Sequence, residues 1–409
     1  MHGKTSAVQP LSRPIKVLLL LSSLHGGGAE RVAVHLMERL DPRRFDMRMG
    51  LLRAVGPYLS EVDMRRVMVA PDGEKHFNYD GPNSAQYTAG KVIGSAVRAP
   101  LAFRKMIRET QPDVVLSFLK GTNLLAWLSL VGLGRKRPKW IAREGNNLIS
   151  VIEEESPNPW AAKASLGITR MAYASADRVL AISEELKACI EREFTLRPAK
   201  VSVIYNPQDV GDISARAMEP LDGAPRRPFI VTAGRLEYQK AHDVLIRAFA
   251  QSGLWRTHAL VVLGKGSRLA QLHALAAQLG IGQYVRFIGF VDNPYAWIAA
   301  ADLFVLASRW EGFGNVVAEA LACGTPVLAT DCNYGPGEIV EAGVSGELVA
   351  VDDVDALAGM MSELIADPDR RAAMALAGTE RVKRFDISTM VERYASLFEE
   401  LAVERAEAL

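Results

Sequence analysis

Residues 303–326 read LFVLASRWEGFGNVVAEALACGTP, and their order decides the fold. An apolar run, Leu303–Ala307, has the length of a strand. A polar turn with two glycines follows, and then a helical stretch that stops at Gly324. Strand, loop and helix in this order make one unit of a parallel sheet. Asn315 is the expected N-cap, so the amides at Val316 and its neighbours, with the helix dipole, face the loop that carries Glu311. Such an end attracts anions. Gly312 and Gly314 let a ligand approach the backbone, and Glu319, one turn into the helix, can accept two hydrogen bonds from a vicinal diol such as ribose. Taken alone, the two glutamates also fit a plain loop charge and a residue that favours a first helical turn.

The same alternation extends in both directions. Before this unit come strand-like runs at Phe229–Ala233, Ala259–Leu263 and Val285–Gly289, and after it Pro326–Ala329 and Glu347–Val349. An earlier series comprises Ile15–Leu21, Met47–Leu52, Val67–Ala70, Val114–Phe118, Trp140–Arg143, Arg178–Ile182 and Val201–Tyr205. Between the series, Pro207–Pro228 holds six prolines and glycines with little apolar periodicity and reads as a linker. Single cores stop growing near about 250–300 residues, so a chain of 409 should form two domains. The expected division is 1–216 and 217–386, each a Rossmann-like, doubly wound α/β domain, with the last helix, near Ile387–Ala408, packing back on the first.

Composition supports a packed globular protein, 49% apolar and 23% charged. Cys189, Cys323 and Cys332, without CxxC spacing, suggest neither a disulfide framework nor a metal knuckle, so a reducing cytoplasm is the expected setting. The run Ile15–Leu21 enters a glycine triplet and not a cleavage site, so it reads as a buried strand. Leu124–Leu133 is about half the roughly 20 residues of a membrane span. The net charge of +1 conceals +9 on residues 1–216 and −8 on 217–409. Either the two halves attract each other or the basic half meets an anionic partner. The near-neutral total, with no recognisable reader module, disfavours nucleic acid.

Ligands of doubly wound sheets bind beyond the strands' carboxyl ends, so the loops there carry the chemistry. After Phe229–Ala233, Gly234–Lys240 brings Arg235 and Lys240, two cations able to hold a diphosphate and neutralise it as it leaves. After the first strand, Gly26-Gly27-Gly28 opens a helix without forming a P-loop or GxGxxG, and offers amides to a phosphate.

Together, and in that order, the glycine run, Arg235 with Lys240, and Glu311 with Glu319 resemble the family 4 retaining glycosyltransferases of the GT-B fold (glycosyl transferases group 1), over nearly the whole chain. Gly264-Lys265-Gly266, Val285–Phe290 and Ala322–Val327 agree with that pattern. The resemblance implies two Rossmann-like domains facing across a cleft. It makes Glu311, Arg235 and Lys240 the catalytic set, with the cations on the donor diphosphate, Glu311 by the transferred sugar and Glu319 on the ribose. It adds Gly27, Gly28, Gly264, Gly289, Phe290, Val291, Phe313, Gly314, Asn315 and Val316 as donor contacts, many through backbone amides. Transfer would proceed with retention, a leaving phosphate oxygen taking the acceptor's proton, and with no resident cofactor or metal. Asp353-Val354-Asp355 and Asp367-Pro368-Asp369 look like a metal-binding Asp-x-Asp, but each opens a helix and reads as a cap.

One departure stands out: Gly145 occupies the place where many relatives carry a first-domain histidine, leaving Glu144, Asn146 or Asn147 to orient the acceptor. His25 and His242 sit in functional-looking loops but fit structural roles as well. The run Asp331–Ile339 resembles bacterial enzymes that extend lipid-linked glycans with hexosamines. The expected donor is therefore a UDP-hexose or UDP-N-acetylhexosamine, and the acceptor a glycan or polyprenyl-diphosphate-linked glycan. Lys91, Arg98, Arg104, Lys105 and Arg108 among Val92, Ile93, Val97, Leu101, Phe103 and Ile107 read as a basic amphipathic helix, with Arg135–Trp140 a second basic patch. Both fit peripheral contact with an anionic membrane at the inner face of the cell, or simply solvated surfaces. A GT-B nucleotide-sugar epimerase and a non-catalytic nucleotide-sugar-binding protein are the competing functions.

Overall fold

The computed structural model describes residues 13–71, 89–146, 148–156 and 158–408, with backbone alone at 89–96, 150 and 153–155. The chain forms two compact units. The first runs to Ile182 and adds Leu186–Tyr205 and the last helix from Ser388 on; the second takes Ser183–Glu185 and Asn206–Ile387.

The first unit contains β1 (Ile15–Leu21), α1 (Gly28–Arg39), β2 (Phe45–Leu51), β3 (Val67–Val69), α2 (Ala89–Thr110), β4 (Val114–Phe118), α3 (Lys120–Leu130), β5 (Lys139–Arg143), α4 (Leu148–Glu155), α5 (Pro159–Ser175), β6 (Arg178–Ala181), most of α6 (Glu184–Phe194) and β7 (Val201–Val203). Its seven strands are parallel in the order β3-β2-β1-β4-β5-β6-β7. Leu19 at the centre lies opposite Met49 on one side and Leu116 on the other. Central strands covered on both faces read as unbroken apolar runs, as IKVLLLL and VVLSF do.

The second unit contains α7 (Val210–Ala217), β8 (Phe229–Ala233), α8 (His242–Ser252), β9 (Ala259–Leu263), α9 (Leu269–Gln278), β10 (Val285–Gly289), α10 (Pro294–Ala299), β11 (Leu303–Leu306), α11 (Asn315–Ala322), β12 (Val327–Thr330), α12 (Pro336–Ile339), β13 (Glu347–Val349), α13 (Val354–Ala366) and α14 (Pro368–Val382). Its six-stranded sheet has the order β10-β9-β8-β11-β12-β13, again all parallel. Leu245, Phe249, Val262, Val305 and Leu357 are among the buried residues of its core. Asp353 and Asp367 accept amide hydrogen bonds from Ala356 and Arg370 at 2.9 Å, so both aspartates cap helices.

One expectation changes. The stretch read as a linker contains α7, whose N-terminus is capped by Asp209 accepting from the Asp212 amide at 3.2 Å. Only Ile213 of that helix is buried, so eight residues leave almost no periodic signal. On α2, Phe103 and Ile107 are buried, whereas Val97 and Leu101 face outward. The helix therefore spends much of its apolar content on its own core, and the side chains of Lys91, Val92 and Ile93 lie outside the described residues.

Helix α15 (Ile387–Ala408) contributes its length from Ser388 on to the first unit. There Arg44 pairs with Glu392 at 3.1 Å and Glu399 at 2.9 Å, Phe398 meets the Phe45 ring edge to face, and the Arg143 guanidinium donates to the Tyr394 hydroxyl at 2.8 Å.

Candidate active site

In the second sheet the strand order turns at β8, which pairs with β9 on one side and β11 on the other. Right-handed crossovers then send successive helices to opposite faces, and a crevice opens beyond the carboxyl ends at that point. The loops after β8 and β11 flank it, and these carry Arg235, Lys240 and Glu311. Lys240 Nζ donates to Glu311 Oε1 at 2.5 Å, with only 14% and 7% of the two side chains exposed. The Ser308 hydroxyl donates to the same carboxylate oxygen at 2.6 Å, and the Thr330 hydroxyl donates to the Ser308 carbonyl at 2.6 Å. The lysine charge is thus held at the loop's base by a carboxylate that is itself anchored to two strand ends. Burial, then the Glu311 charge, pushes the nearby Cys332 thiol up to about 12, so this cysteine stays protonated.

Arg235 is exposed and is aimed by a residue the sequence did not single out. Its guanidinium donates to Gln239 Oε1 at 3.1 Å, while Gln239 Nε2 donates to the Trp310 carbonyl at 2.9 Å. The Gln239 carbonyl accepts from the Arg309 amide at 2.8 Å, so the residue fastens one loop to the other through both backbone and side chain. Arg309 adds ion pairs to Asp243 at 3.1 Å and Asp352 at 2.9 Å, and its guanidinium stacks 4.0 Å from the Tyr238 ring centre. Gln239 adjoins Lys240 and Arg309 lies two residues before Glu311, but only long-range contacts reveal what they do.

Helix α11 begins one residue earlier than its sequence suggests. Gly314, with φ of 90°, is the N-cap, and Asn315 is the first helical residue, its side-chain oxygen accepting from Asn206 Nδ2 at 2.8 Å. A left-handed cap at this position requires glycine, and this displaces asparagine from the capping role. In the first turn the Val317 amide donates to the Gly314 carbonyl at 2.8 Å, while helix geometry leaves the Asn315 and Val316 amides without intrahelical partners. Phe313 is buried, its ring set edge to face 5.3 Å from Phe385, so it can offer a ligand only its backbone. Val316 in the first turn and Glu319 in the next are half-buried.

The loops after β8, β9 and β10 are stitched together by glycines. A Cβ on Gly264 would lie 2.0 Å from the Gly234 carbonyl oxygen, and φ at Gly264 is 129°. The Gly264 amide donates to the Gly289 carbonyl at 2.7 Å. Beyond Gly289, whose φ is 88°, Phe290 is exposed and Val291 half-buried.

The remaining candidates belong to the first unit. Gly27 caps α1, and a Cβ there would lie 2.4 Å from a carboxylate oxygen of Glu30, so the amides at Gly27–Gly28 have a carboxylate of their own close by. Glu144 is almost fully buried and accepts from the Tyr173 hydroxyl at 2.6 Å and from the Gly145 and Asn146 amides at 3.0 and 3.2 Å. Its carboxylate shapes the loop, and of the neighbouring candidates Asn146 is exposed. Asn147 lies outside the described residues. A Cβ at Gly145 would lie 3.3 Å from Leu119 Cδ2, so even a small side chain there would press on that neighbour.

Comparison with known proteins agrees with this geometry. Over 371 residues, 91% of this chain and 96% of the relative, the sequence is 29% identical to N-acetylgalactosamine-N,N'-diacetylbacillosaminyl-diphospho-undecaprenol 4-alpha-N-acetylgalactosaminyltransferase of Campylobacter jejuni. It is 25% identical, over 95% of this chain and 99% of the relative, to the GalNAc-alpha-(1->4)-GalNAc-alpha-(1->3)-diNAcBac-PP-undecaprenol alpha-1,4-N-acetyl-D-galactosaminyltransferase of the same organism. The fold matches that of Anabaena HepE in complex with UDP, with a TM-score of 0.74, 22% identity and coverage of 94% and 99% of the two chains. The Glycosyltransferase Family 4 model matches residues 26–211 and the Glycosyl transferases group 1 model residues 216–381, and the chain is accordingly a GT-B glycosyltransferase of this family.

Proposed function

We propose that the chain transfers a hexose or N-acetylhexosamine from a UDP-sugar to a polyprenyl-diphosphate-linked glycan, with retention of configuration and without a metal ion. The observation that carries this reading is the Lys240–Glu311 pair at the turning point of the second sheet, with Arg235 held beside it. Two fixed cations can take the diphosphate and offset the charge that grows on its leaving oxygen, which is work a divalent cation would otherwise do. That oxygen lies on the face from which the sugar departs, so it can accept the acceptor hydroxyl's proton as the new glycosidic bond forms and the sugar–phosphate bond breaks. On this reading Glu311 orients the sugar while its ion pair keeps Lys240 directed at the phosphate. The similarity to the two Campylobacter enzymes supports a lipid-linked acceptor, and the UDP-bound fold relative supports the base.

The test is transfer from a panel of UDP-, GDP- and ADP-sugars to an undecaprenyl-diphosphate-linked hexosamine, run in a metal chelator, with the product's anomeric configuration read by NMR. An α-linked product from a UDP-sugar in chelator is expected. A metal requirement or an inverted linkage would refute the corresponding part of the mechanism, and conversion of donor alone would move the protein to the epimerases.

A further inference from the structure

Strand β7 ends the first sheet and pairs with β6 alone, so its far side is an open edge. Just after the strand, the Ile204 amide donates to the Ala181 carbonyl of β6 at 3.1 Å. Successive strand residues turn their backbone groups to opposite sides, so Val201 and Val203 each aim an N–H and a C=O at the open edge. Sheet edges are commonly blunted by a charge or a proline, and Val201-Ser202-Val203 has neither. The preceding Lys200 is turned away, its ammonium donating to the Ala174 carbonyl.

Helix α15 runs beside this edge without covering it, and an open groove of about 680 Å³ lies between them. The groove touches Ser202, Val203 and Ile204 in succession. Neighbouring strand side chains point to opposite faces, so a cavity that meets all three follows the edge. Both walls belong to the first unit, whereas the donor loops belong to the second. The helix wall extends from Ser388 to Glu400, about 18 Å, the span of about five extended residues. Val203, Ile204 and Leu397 supply apolar lining.

Backbone groups at strand spacing are satisfied by another strand, and charge narrows its composition. Glu392 pairs with Arg44 at 3.1 Å and Glu400 with Arg178, yet the two carboxylate side chains remain 60% and 55% exposed and have lone pairs to spare. Eight helical residues put them about 12 Å apart along the groove. Side chains four positions apart in an extended peptide are about 13 Å apart on one face, so two basic residues at that spacing reach both. Arg393 is the single cation among the lining residues, which leaves the balance acidic.

We propose that this groove takes an extended, basic segment of a partner protein, which adds to β7 as a further strand alongside α15. Backbone bonds to Val201 and Val203 hold it, and Glu392 and Glu400 select its side chains.

The probe is a blocked pentapeptide, acetyl-Lys-Val-Ser-Val-Lys-amide, labelled for fluorescence anisotropy and titrated with the full chain. Saturable binding is expected. Methylating the backbone nitrogens of both valines, or of the serine and the last lysine, removes donors on opposite edges of the peptide. One of these two peptides should lose more than tenfold in affinity while the other binds as the parent does. Val203→Pro removes an outward N–H, a change that edge strands accept, and should weaken binding about fivefold with the melting temperature and UDP affinity unchanged. Glu392→Gln with Glu400→Gln should cost about three- to tenfold and remove the preference over a peptide with glutamates in place of the lysines. No saturable binding, equal affinity of the two methylated peptides, or parental binding by Val203→Pro would overturn the proposal; if that variant does not fold, the methylated peptides decide. A dimer in sedimentation that Val203→Pro dissolves would give the edge to a second copy and overturn it as well.

Discussion

The two units solve the same topological problem with different chemistry. In each sheet the strand order turns between its first and fourth strands, β1 with β4 and β8 with β11. Beyond the second turning point lie charges: Arg235 exposed, Lys240 against Glu311, Arg309 between two aspartates. Beside the first lies a buried chain of mostly neutral groups. Trp140 Nε1 donates to Ser117 Oγ at 2.8 Å, Ser117 to Asn123 Oδ1 at 2.7 Å, and Asn123 Nδ2 to Tyr173 Oη at 3.0 Å. Tyr173 donates in turn to Glu144, which accepts the Gly145 and Asn146 amides. Under the proposed function one set of polar groups is kept for a ligand, and the other is consumed in setting a backbone. Arg235, being exposed, gives up little hydration until a partner arrives, whereas buried groups must be satisfied within the fold, as Lys240 and Glu311 are by each other.

The most severe test of this contrast is Arg235→Ala. Removing one preorganised donor from a developing charge costs about 2.7–4 kcal/mol, so turnover should fall by about a hundred- to a thousandfold. Because the side chain is exposed, the melting curve should hardly move, and a large drop in stability would mean that the arginine is structural. Next comes His242, whose buried Nδ1 has no hydrogen-bond partner among the described residues. Burial, then the neighbouring Lys240 charge, lowers its pKa to about 4. Its folded value lies below the unfolded one, so stability is complete above about pH 6.5 and is lost as the pH falls toward 4, by up to about 3 kcal/mol. In His242→Phe the loss across that window should shrink when measured by denaturant melts at a series of pH values. An unchanged slope would place the titration elsewhere.

Much of this was legible from residue order alone. Each expected strand lies within two residues of an observed one at either end, because central parallel strands are continuous apolar runs bounded by turns. The Glu311 and Arg235–Lys240 loops could be found because chemistry at a turning point follows immediately after a strand. What could not be read depends on contacts far apart in sequence or on backbone angle. The left-handed Gly314 takes the cap from Asn315. Phe103 and Ile107 face the core, and an exposed apolar stripe of Trp160, Ile168 and Met171 lies on α5, where no run of charge drew attention to it. Glu144 looks like an acceptor ligand until Tyr173, 29 residues later, is placed against it.

Tyr173→Phe asks whether the first unit's chain is structural. It removes the hydroxyl between Asn123 and Glu144 and leaves buried groups unsatisfied, which costs about 1–3 kcal/mol. The melting temperature should drop while affinity for UDP, which the proposed function assigns to the second unit's loops, stays within about twofold. Weakened UDP binding would break the division between the two regions.

The smallest expected effect is the most discriminating. Gln239 donates to the Trp310 carbonyl, which fixes the amide's orientation and leaves its oxygen facing Arg235. If that is its function, Gln239→Leu should lower kcat/KM by about three- to tenfold, the worth of one hydrogen bond, by letting the arginine wander. A general loosening of the loop would give the same loss in any background. Action through Arg235 would not: in the Arg235→Ala protein there is no guanidinium left to aim, and the Gln239→Leu effect should vanish. A double-mutant cycle in kcat/KM separates the two, because additive losses mean that Gln239 supports the loop alone, whereas full non-additivity makes it the residue that points the cation at the diphosphate.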